Sequence, residues 1–236
     1  MTDSTGGARG CPGVIVVFAK APRAGLVKTR LCPPLDPAEA ADLYAQMLDD
    51  VLESTARFAG GSGLEAVLAV HPADARAELA ARAPRGFRVI GQRGGGLAER
   101  MAYAVAEAAA GGAEKILLRG SDNPALGRAC LDAAVAALDS SELVLSPDLD
   151  GGYGLIGTRG SWPALFDHAT STRTLLEDTL ATALRLGLRT TTLATSFDLD
   201  CAADLVRLLA AHRRGELDGC ARTVGWILQH GHIVSG

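Results

Sequence analysis

Basic side chains are concentrated in one short segment near the start of the chain. Of the 23 basic residues only three are lysines, and two of these, Lys20 and Lys28, lie in this segment. Lysine offers phosphate oxygens a compact ammonium group, whereas arginine offers a planar fork that contacts two oxygens. We expect a phosphate-binding loop in which Lys28 and Arg30 act on the reacting phosphates. Its candidate ligands are Ala19, Lys20, Gly25, Lys28, Thr29 and Arg30.

The position of this loop supports the interpretation. Residues 14–18 are β-branched or aromatic, which predicts a central strand buried on both faces. A basic, glycine-containing loop directly after such a strand is typical of a phosphate site. The spacing matches neither a Walker loop nor a Gly-x-Gly-x-x-Gly turn. A solvated surface loop is the alternative, although solubility does not require so many cations at that place.

A carboxylate follows another apolar stretch. Asp122 comes after the short run 116–118, and Asn123 and Pro124 are suited to begin a helix there. If Asn123 caps that helix, Asp122 is free to point into a crevice beside Ser121. The alternative is that Asp122 is itself the cap.

Three further acidic residues suit a site. Asp198 and Asp200 alternate on an extended segment, so both can face one side while Leu199 turns to the core. Whichever of the two lies outside the site is expected to cap the helix that leads to Asp204. Asp150 precedes two glycines, which is a strong hairpin signal. It could equally accept a hydroxyl hydrogen bond or act as a general base.

Arg100, Gly152 and Tyr153 complete the candidate set. Arg100 lies at a helix start, where a cation is unfavourable for the helix dipole, so we expect it to turn towards a base or phosphate. Gly152 permits close approach of the backbone to a ligand, and Tyr153 follows it. The five histidines form no constellation with carboxylates, so surface or packing roles are expected for them.

Apolar runs and turn signals alternate along the chain. Strands are predicted at residues 14–18, 64–70, 89–90, 116–118, 153–156 and 190–193, with a further one from 143. Helices are predicted from the acidic cap at 36, from 72, over 97–110, over 171–186 and up to 212. Such alternation implies right-handed crossovers and a mostly parallel α/β sheet, with ligands at the carboxyl ends of its strands.

Composition narrows the class of protein. A chain of 236 residues suits one α/β domain, and a net charge of −4 with dispersed basic residues argues against a nucleic-acid partner. The polar first dozen residues and the lack of a long apolar run predict a cytoplasmic protein without a membrane partner. Five cysteines without a Cys-x-x-Cys pair favour a reduced compartment over disulfides or structural zinc.

Five segments together resemble one family. In chain order they read FAKAPRAGLVKTRL, LAERM, GSDNPAL, SPDLDGGYGLIG and FDLDCAADL, and they cover about residues 14–210. They are similar to the DUF2064 or selenodomain-associated transferase proteins of the nucleotide-diphospho-sugar transferase superfamily. The resemblance implies a three-layer, Rossmann-like GT-A fold in one domain over residues 13–214. We expect residues 1–12 to be disordered, and the extension 215–236 to pack on the domain or against a second copy in a homodimer.

The resemblance also implies ligands. Asp122 would hold a divalent metal on nucleotide phosphates, and either Asp198 or Asp200 would complete that site. Mg²⁺ or Mn²⁺ is expected because these hard ions prefer carboxylate and phosphate oxygens. The expected partners are a nucleotide or nucleotide sugar and a small-molecule acceptor.

The sequence departs from the family pattern on the acceptor side. Residues 96–98, Gly-Leu-Ala, replace the usual Asp-Leu-Gly, and residues 170–172, Thr-Ser-Thr, replace Trp-Ser-Thr. Gly154 stands where the family has a second tyrosine. These changes indicate that the donor site is retained and that the acceptor is different or the activity weaker.

Three functions follow as hypotheses. The first is a Mg²⁺-dependent nucleotidyltransferase that transfers a nucleoside monophosphate from a nucleoside triphosphate (NTP) to a phosphorylated small molecule and releases pyrophosphate. It is favoured because Lys20, Lys28 and Arg30 offer more positive charge than a diphosphate needs. The alternatives are a GT-A glycosyltransferase with a nucleotide-sugar donor and a non-catalytic nucleotide-binding module.

Overall fold

The computed structural model describes residues 13–170 and 172–230, so the expectation for residues 1–12 lies outside the described chain. Within it, one sheet contains β1 (Gly13–Lys20), β2 (Glu65–His71), β3 (Phe87–Gly91), β4 (Lys115–Gly120), β5 (Leu143–Pro147), β6 (Tyr153–Arg159) and β7 (Thr190–Thr192). The α-helices are α1 (Pro37–Ser62), α2 (Arg76–Arg82), α3 (Leu97–Ala110), α4 (Arg128–Ala137), α5 (Leu175–Arg185), α6 (Ala202–Arg213) and α7 (Ala221–Gln229). Short 3-10 helices cover Thr29–Leu31, Ala73–Ala75 and Pro163–Phe166.

The strands follow the order β3-β2-β1-β4-β6-β5-β7. The first four in this order run parallel, and β7 runs parallel to β5. Strand β6 is antiparallel to both of its neighbours, because it returns from β5 through the short turn 148–152. The predicted mostly parallel α/β sheet is therefore confirmed.

Strand β1 explains the three layers. On one face Val14 and Val16 belong to the same core cluster as Met101 of α3, and on the other Ile15 clusters with Phe58 of α1. A strand covered on both faces needs apolar residues at successive positions, which explains why residues 14–18 are all apolar. No helix among the described residues is long and apolar enough to cross a membrane.

Helix α1 begins as its sequence predicts. Asp36 accepts hydrogen bonds from the backbone N–H groups of Ala38 and Glu39, and Glu39 accepts one from the backbone of Asp36. This capping box, with Pro37 in the first turn, satisfies donors that would otherwise be unpaired. The helix continues through the predicted stop at residues 60–61 and ends at Gly63, which has a φ of 72°.

Three helix starts differ from the prediction. No helix begins at Pro124, because residues 122–127 form a loop and α4 starts at Arg128 behind Gly127. Asn123 therefore caps nothing. Helix α5 starts at Leu175, several residues after the predicted position. The N-cap of α6 is Cys201, so neither of the two preceding aspartates caps it.

Helix α7 packs back on the domain, which was one of the two expectations for the extension. Trp226 and Ile227 are buried in a cluster with residues of α1 and α6. Asp50 of α1 accepts hydrogen bonds from the backbone N–H and the hydroxyl of Thr223, at 2.8 and 2.7 Å. The indole Nε1 of Trp226 donates to Asp42 at 2.6 Å. Two aspartates of α1 thus hold the last described helix.

Candidate functional site

A cavity of about 1130 Å³ opens at the carboxyl ends of β1 and β4. It brings together candidates from five separate stretches of the sequence. Those that line it are Ala19, Lys20, Lys28, Thr29, Arg30, Arg100, Ser121, Asp122, Asp150, Gly152, Tyr153, Asp198 and Asp200. Gly25 does not line the cavity. It has a φ of 75° in the loop after β1 and contributes a turn to that loop.

Lys28 is the buried centre of the basic loop. Its backbone is left-handed, with φ 49° and ψ 34°, and its side chain is only 3% exposed. The ammonium group forms an ion pair with Asp122 and a second one, at 3.0 Å, with Asp200. Arg30, which is 66% exposed, also pairs with Asp200. The basic loop and two carboxylates that are distant in sequence therefore meet at one point.

This arrangement shifts the pKa values of both partners. Burial alone would lower the pKa of Lys28, but Asp122, Asp200 and Asp198 together raise it above its usual value. Burial alone would raise the pKa of Asp122, but Lys28, with smaller contributions from Lys20 and Arg30, lowers it. Both groups are charged at neutral pH.

Asp198 and Asp148 form a second carboxylate pair on the cavity wall. Burial first, and then the negative charges of Asp122 and Asp148, raise the pKa of Asp198 well above its usual value. The pKa of Asp148 is also raised, mainly by burial. Leu199 is fully buried, so Asp198 and Asp200 do face the same side. Asp148 was not among the predicted residues.

The carboxylates of the cavity are suitable ligands for a divalent cation, but the described side chains are not arranged as a preformed metal site. Within the described chain, no group of three or more His, Cys, Asp or Glu side chains is arranged to hold a metal. Asp122 and Asp200 are instead ion-paired with Lys28, and Asp200 also with Arg30. Nevertheless the buried Oδ2 atom of Asp148 has no hydrogen-bond partner among described residues. The raised pKa values of Asp148 and Asp198 reflect burial and crowding with other carboxylates, which a divalent cation such as Mg²⁺ or Mn²⁺ would relieve.

Tyr44 was missed because its helical spacing in α1 is that of a core residue. It is 2% exposed, and its hydroxyl is 2.7 Å from the hydroxyl of Ser121. The backbone N–H of Lys20 donates to the same oxygen at 3.0 Å. Burial and Asp122 raise the pKa of Tyr44 to about 12, so it remains a neutral link between the loops after β1 and β4.

Gln92 and His71 were also missed, and they line the opposite wall with Arg100. The amide nitrogen of Gln92 donates to the carbonyls of Ala69 and Ala19 at 2.8 and 3.3 Å. These two bonds fix the orientation of the Gln92 amide. Burial, and then Arg100, lower the pKa of His71, which keeps its ring neutral at pH 7. The buried Nε of Arg100 has no partner among described residues.

The floor of the cavity contains Arg119, whose hydrogen-bond partners within residues 13–170 and 172–230 are all neutral groups. Arg119 is 1% exposed and donates to the hydroxyls of Ser54 and Thr55, and to the carbonyls of Asn123 and Leu126. Burial lowers its pKa to about 10. These bonds fix the loop after β4. The sequence had predicted that the start of a helix would fix this segment.

The turn between β5 and β6 forms the remaining wall. Asp150 accepts a hydrogen bond from the backbone N–H of Gly152 at 2.9 Å, so it stabilises its own turn while lining the cavity. Gly151 has a φ of 92°, and a Cβ atom there would lie 2.1 Å from the carbonyl oxygen of Arg173. The backbone N–H of Leu176 donates to Gly151 at 3.0 Å. The segment before α5 is therefore packed closely on this turn.

Comparison with known proteins agrees with this architecture. The model of the family described as "uncharacterized protein conserved in bacteria (DUF2064)" matches residues 54–172, which is just over half of the chain. The chain belongs to this family. A search of curated proteins gives no significant match.

Several solved structures share the fold. One from Desulfovibrio desulfuricans G20, described as a "putative nucleotide-diphospho-sugar transferase", is 26% identical with a TM-score of 0.85, over 94% of this chain and 96% of that one. A cytidylyltransferase from Leptospira borgpetersenii is 14% identical, with a TM-score of 0.55 over 95% and 97% of the two chains. The 4-diphosphocytidyl-2C-methyl-D-erythritol synthase of Anaerococcus prevotii is 10% identical, with a TM-score of 0.53 over 86% and 99%. These likenesses establish the nucleotide-diphospho-sugar transferase type of fold.

Proposed function

We propose that the protein is a Mg²⁺-dependent nucleotidyltransferase that uses an NTP and releases pyrophosphate. The observation that carries the proposal is the meeting of Lys28 and Arg30 with Asp122 and Asp200 in a large cavity at the strand ends. One place thereby supplies both the cations that a triphosphate requires and the carboxylates that a metal ion requires. The protein of the same fold that is described as a cytidylyltransferase supports this class of reaction.

In the proposed reaction an oxygen of a phosphorylated acceptor attacks the α-phosphorus of the NTP. The bond from that phosphorus to the bridging oxygen breaks, and pyrophosphate leaves with the electron pair. Lys20, Lys28 and Arg30 bind the phosphate oxygens and stabilise the developing charge. A metal held by Asp122 with Asp198 or Asp200 would neutralise further phosphate charge. Asp150 would accept a hydrogen bond from the acceptor.

A glycosyltransferase with a nucleotide-sugar donor is the second candidate. The description of the 26% identical neighbour as a nucleotide-diphospho-sugar transferase favours it. Pyrophosphate release from an NTP and an acceptor separates the two reactions. Transfer or hydrolysis of a nucleotide sugar, without any turnover of an NTP, would overturn the first proposal.

Calorimetric titration of each NTP, with Mg²⁺ and with EDTA, tests the two halves of the site. Lys28→Ala should weaken binding at least tenfold under both conditions, because Lys28 contacts the phosphates directly. Asp122→Ala should abolish only the Mg²⁺-dependent part of the affinity. A partly buried charge that loses its partner typically costs about 2–5 kcal/mol, which exceeds a tenfold change. Unchanged Mg²⁺ dependence in Asp122→Ala would show that Asp122 holds no metal.

A further inference from the structure

The basic side chains that line the cavity differ in how their charge is neutralised. Lys28 and Arg30 have carboxylate partners, and Arg119 is bound by hydroxyls and carbonyls on the floor. Arg173 lines the cavity from the segment before α5 and is exposed. Within residues 13–170 and 172–230, it forms no ion pair with any carboxylate, in contrast to Arg30. Its guanidinium is therefore available to an anion from solution.

The backbone of Arg173 is nevertheless held firmly. Its carbonyl packs against Gly151, where even a single added methyl group would collide with it at 2.1 Å. The hydrogen bond from Leu176 to Gly151 fastens the same segment from the other side. Leu149, in the same turn, is 59% exposed and also lines the cavity. A cation and an apolar side chain are thus presented together by one rigid wall.

This wall is separate from the cations assigned to the NTP. Lys28, Asp122 and Asp200 come from the loops after β1 and β4 and from the segment before α6, whereas Arg173 is packed on the turn between β5 and β6. In the sheet, β4 lies between β1 and the pair β6 and β5, so the turn that holds Arg173 is on the far side of β4 from the loop that carries Lys28. An NTP whose phosphates contact Lys20, Lys28 and Arg30 leaves Arg173 without an anion.

We propose that Arg173 binds the anionic group of the acceptor, a phosphate or carboxylate, and that Leu149 contacts the acceptor's apolar part. The inference rests on the proposed nucleotidyltransferase function and assigns the acceptor subsite to the turn 148–152 and residue 173. Arg173 is then a specificity-determining residue. It selects charged acceptors over neutral ones of the same size.

Steady-state pyrophosphate release tests this assignment. The assay uses sugar phosphates, sugar acids and their neutral counterparts with each NTP, for the wild type, Arg173→Gln and Arg173→Lys. Arg173→Gln should raise the KM for the charged acceptor at least tenfold and change the KM for the NTP less than twofold. Arg173→Lys should recover much of the loss. Arg213→Gln, an exposed arginine outside the cavity lining, is the control and should behave as the wild type.

A binding measurement makes the test independent of turnover. Inorganic phosphate is titrated calorimetrically into the protein with and without a non-hydrolysable NTP analogue. Phosphate should bind the wild type and Arg213→Gln in the presence of the analogue, and its affinity should fall at least fivefold in Arg173→Gln. Equal phosphate binding by wild type and Arg173→Gln overturns the inference, as does an unchanged acceptor KM. Failure of every NTP to bind would instead overturn the proposed function, and the phosphate titration of the free protein would still decide the role of Arg173.

Discussion

Two cationic side chains are buried beside the same cavity, Lys28 after β1 and Arg119 near the end of β4. Lys28 is surrounded by carboxylates, which raise its pKa, whereas the partners of Arg119 among the described residues are neutral and burial lowers its pKa to about 10. A ligand phosphate can replace the carboxylates of Lys28, since they are themselves partly exposed. The two hydroxyls and two carbonyls that bind Arg119 belong to the protein itself, so a ligand phosphate cannot take their place. The first cation is arranged for binding, and the second holds the loop that carries Asp122.

The largest effect on stability is expected for Arg119→Met. Methionine has a similar length but leaves the carbonyls of Asn123 and Leu126 without a donor, and a buried unsatisfied polar group costs about 1–3 kcal/mol. We expect the free energy of unfolding to fall by about 3 kcal/mol in chemical denaturation. Arg119→Lys keeps the charge but not the planar guanidinium fork. Its free energy of unfolding should lie between those of the wild type and Arg119→Met. Full stability of Arg119→Met would mean that the burial of the guanidinium cancels its hydrogen bonds.

A smaller loss, about 2 kcal/mol, is expected for Lys28→Met. The variant leaves Asp122 and Asp200 close together without their shared cation, but solvent screens both partly exposed carboxylates. Added Mg²⁺ should restore part of the melting temperature of Lys28→Met and none of that of Arg119→Met. Lys115→Met removes a lysine whose partner Asp139 is 71% exposed, and it should show neither effect. Identical Mg²⁺ responses in all three variants would contradict the distinction between the two buried cations.

The smallest effect concerns pH. Because the pKa of Asp122 is lower in the folded protein than in the unfolded chain, its contribution to stability is present above the ordinary aspartate pKa of about 4. It is lost as the pH falls through the folded value. The stability advantage of the wild type over Asp122→Asn should therefore be constant between pH 5 and 7, which are about one and three units above the ordinary value, and shrink below about pH 4. Denaturation curves that show a constant advantage down to about pH 3 would contradict the assignment.

The fold was largely predictable because its signals are local. The apolar run of β1, the capping box of α1 and the bounds of α3 depend on residues adjacent in the sequence. The loop 122–127 was mispredicted because Asn-Pro is a good helix start in isolation. Here the buried Arg119 donates two hydrogen bonds to carbonyls of the loop and two to Ser54 and Thr55 of α1, which lie 65 and 64 positions away, and these bonds tie the loop to the helix instead.

The candidate site was predictable only in part, for a related reason. Basic and acidic residues at strand ends are recognisable by type, and the structure places them around one cavity. Tyr44 and Gln92 carry no such signal, because their roles arise from contacts with residues 77 and 73 positions away. The ion pairs of Lys28 likewise join positions 172 apart. Only the packed sheet creates these contacts.

The docking of α7 has a practical consequence for protein engineering. Helix α1 carries Asp42 and Asp50, which hold α7, and between them Tyr44, whose hydroxyl contacts Ser121 at the cavity. A fusion partner or purification tag that pulls α7 away from α1 would strip two aspartates of their hydrogen-bond donors and expose Trp226. The disturbance would reach the cavity through a single rigid helix, although no residue of α7 lines it.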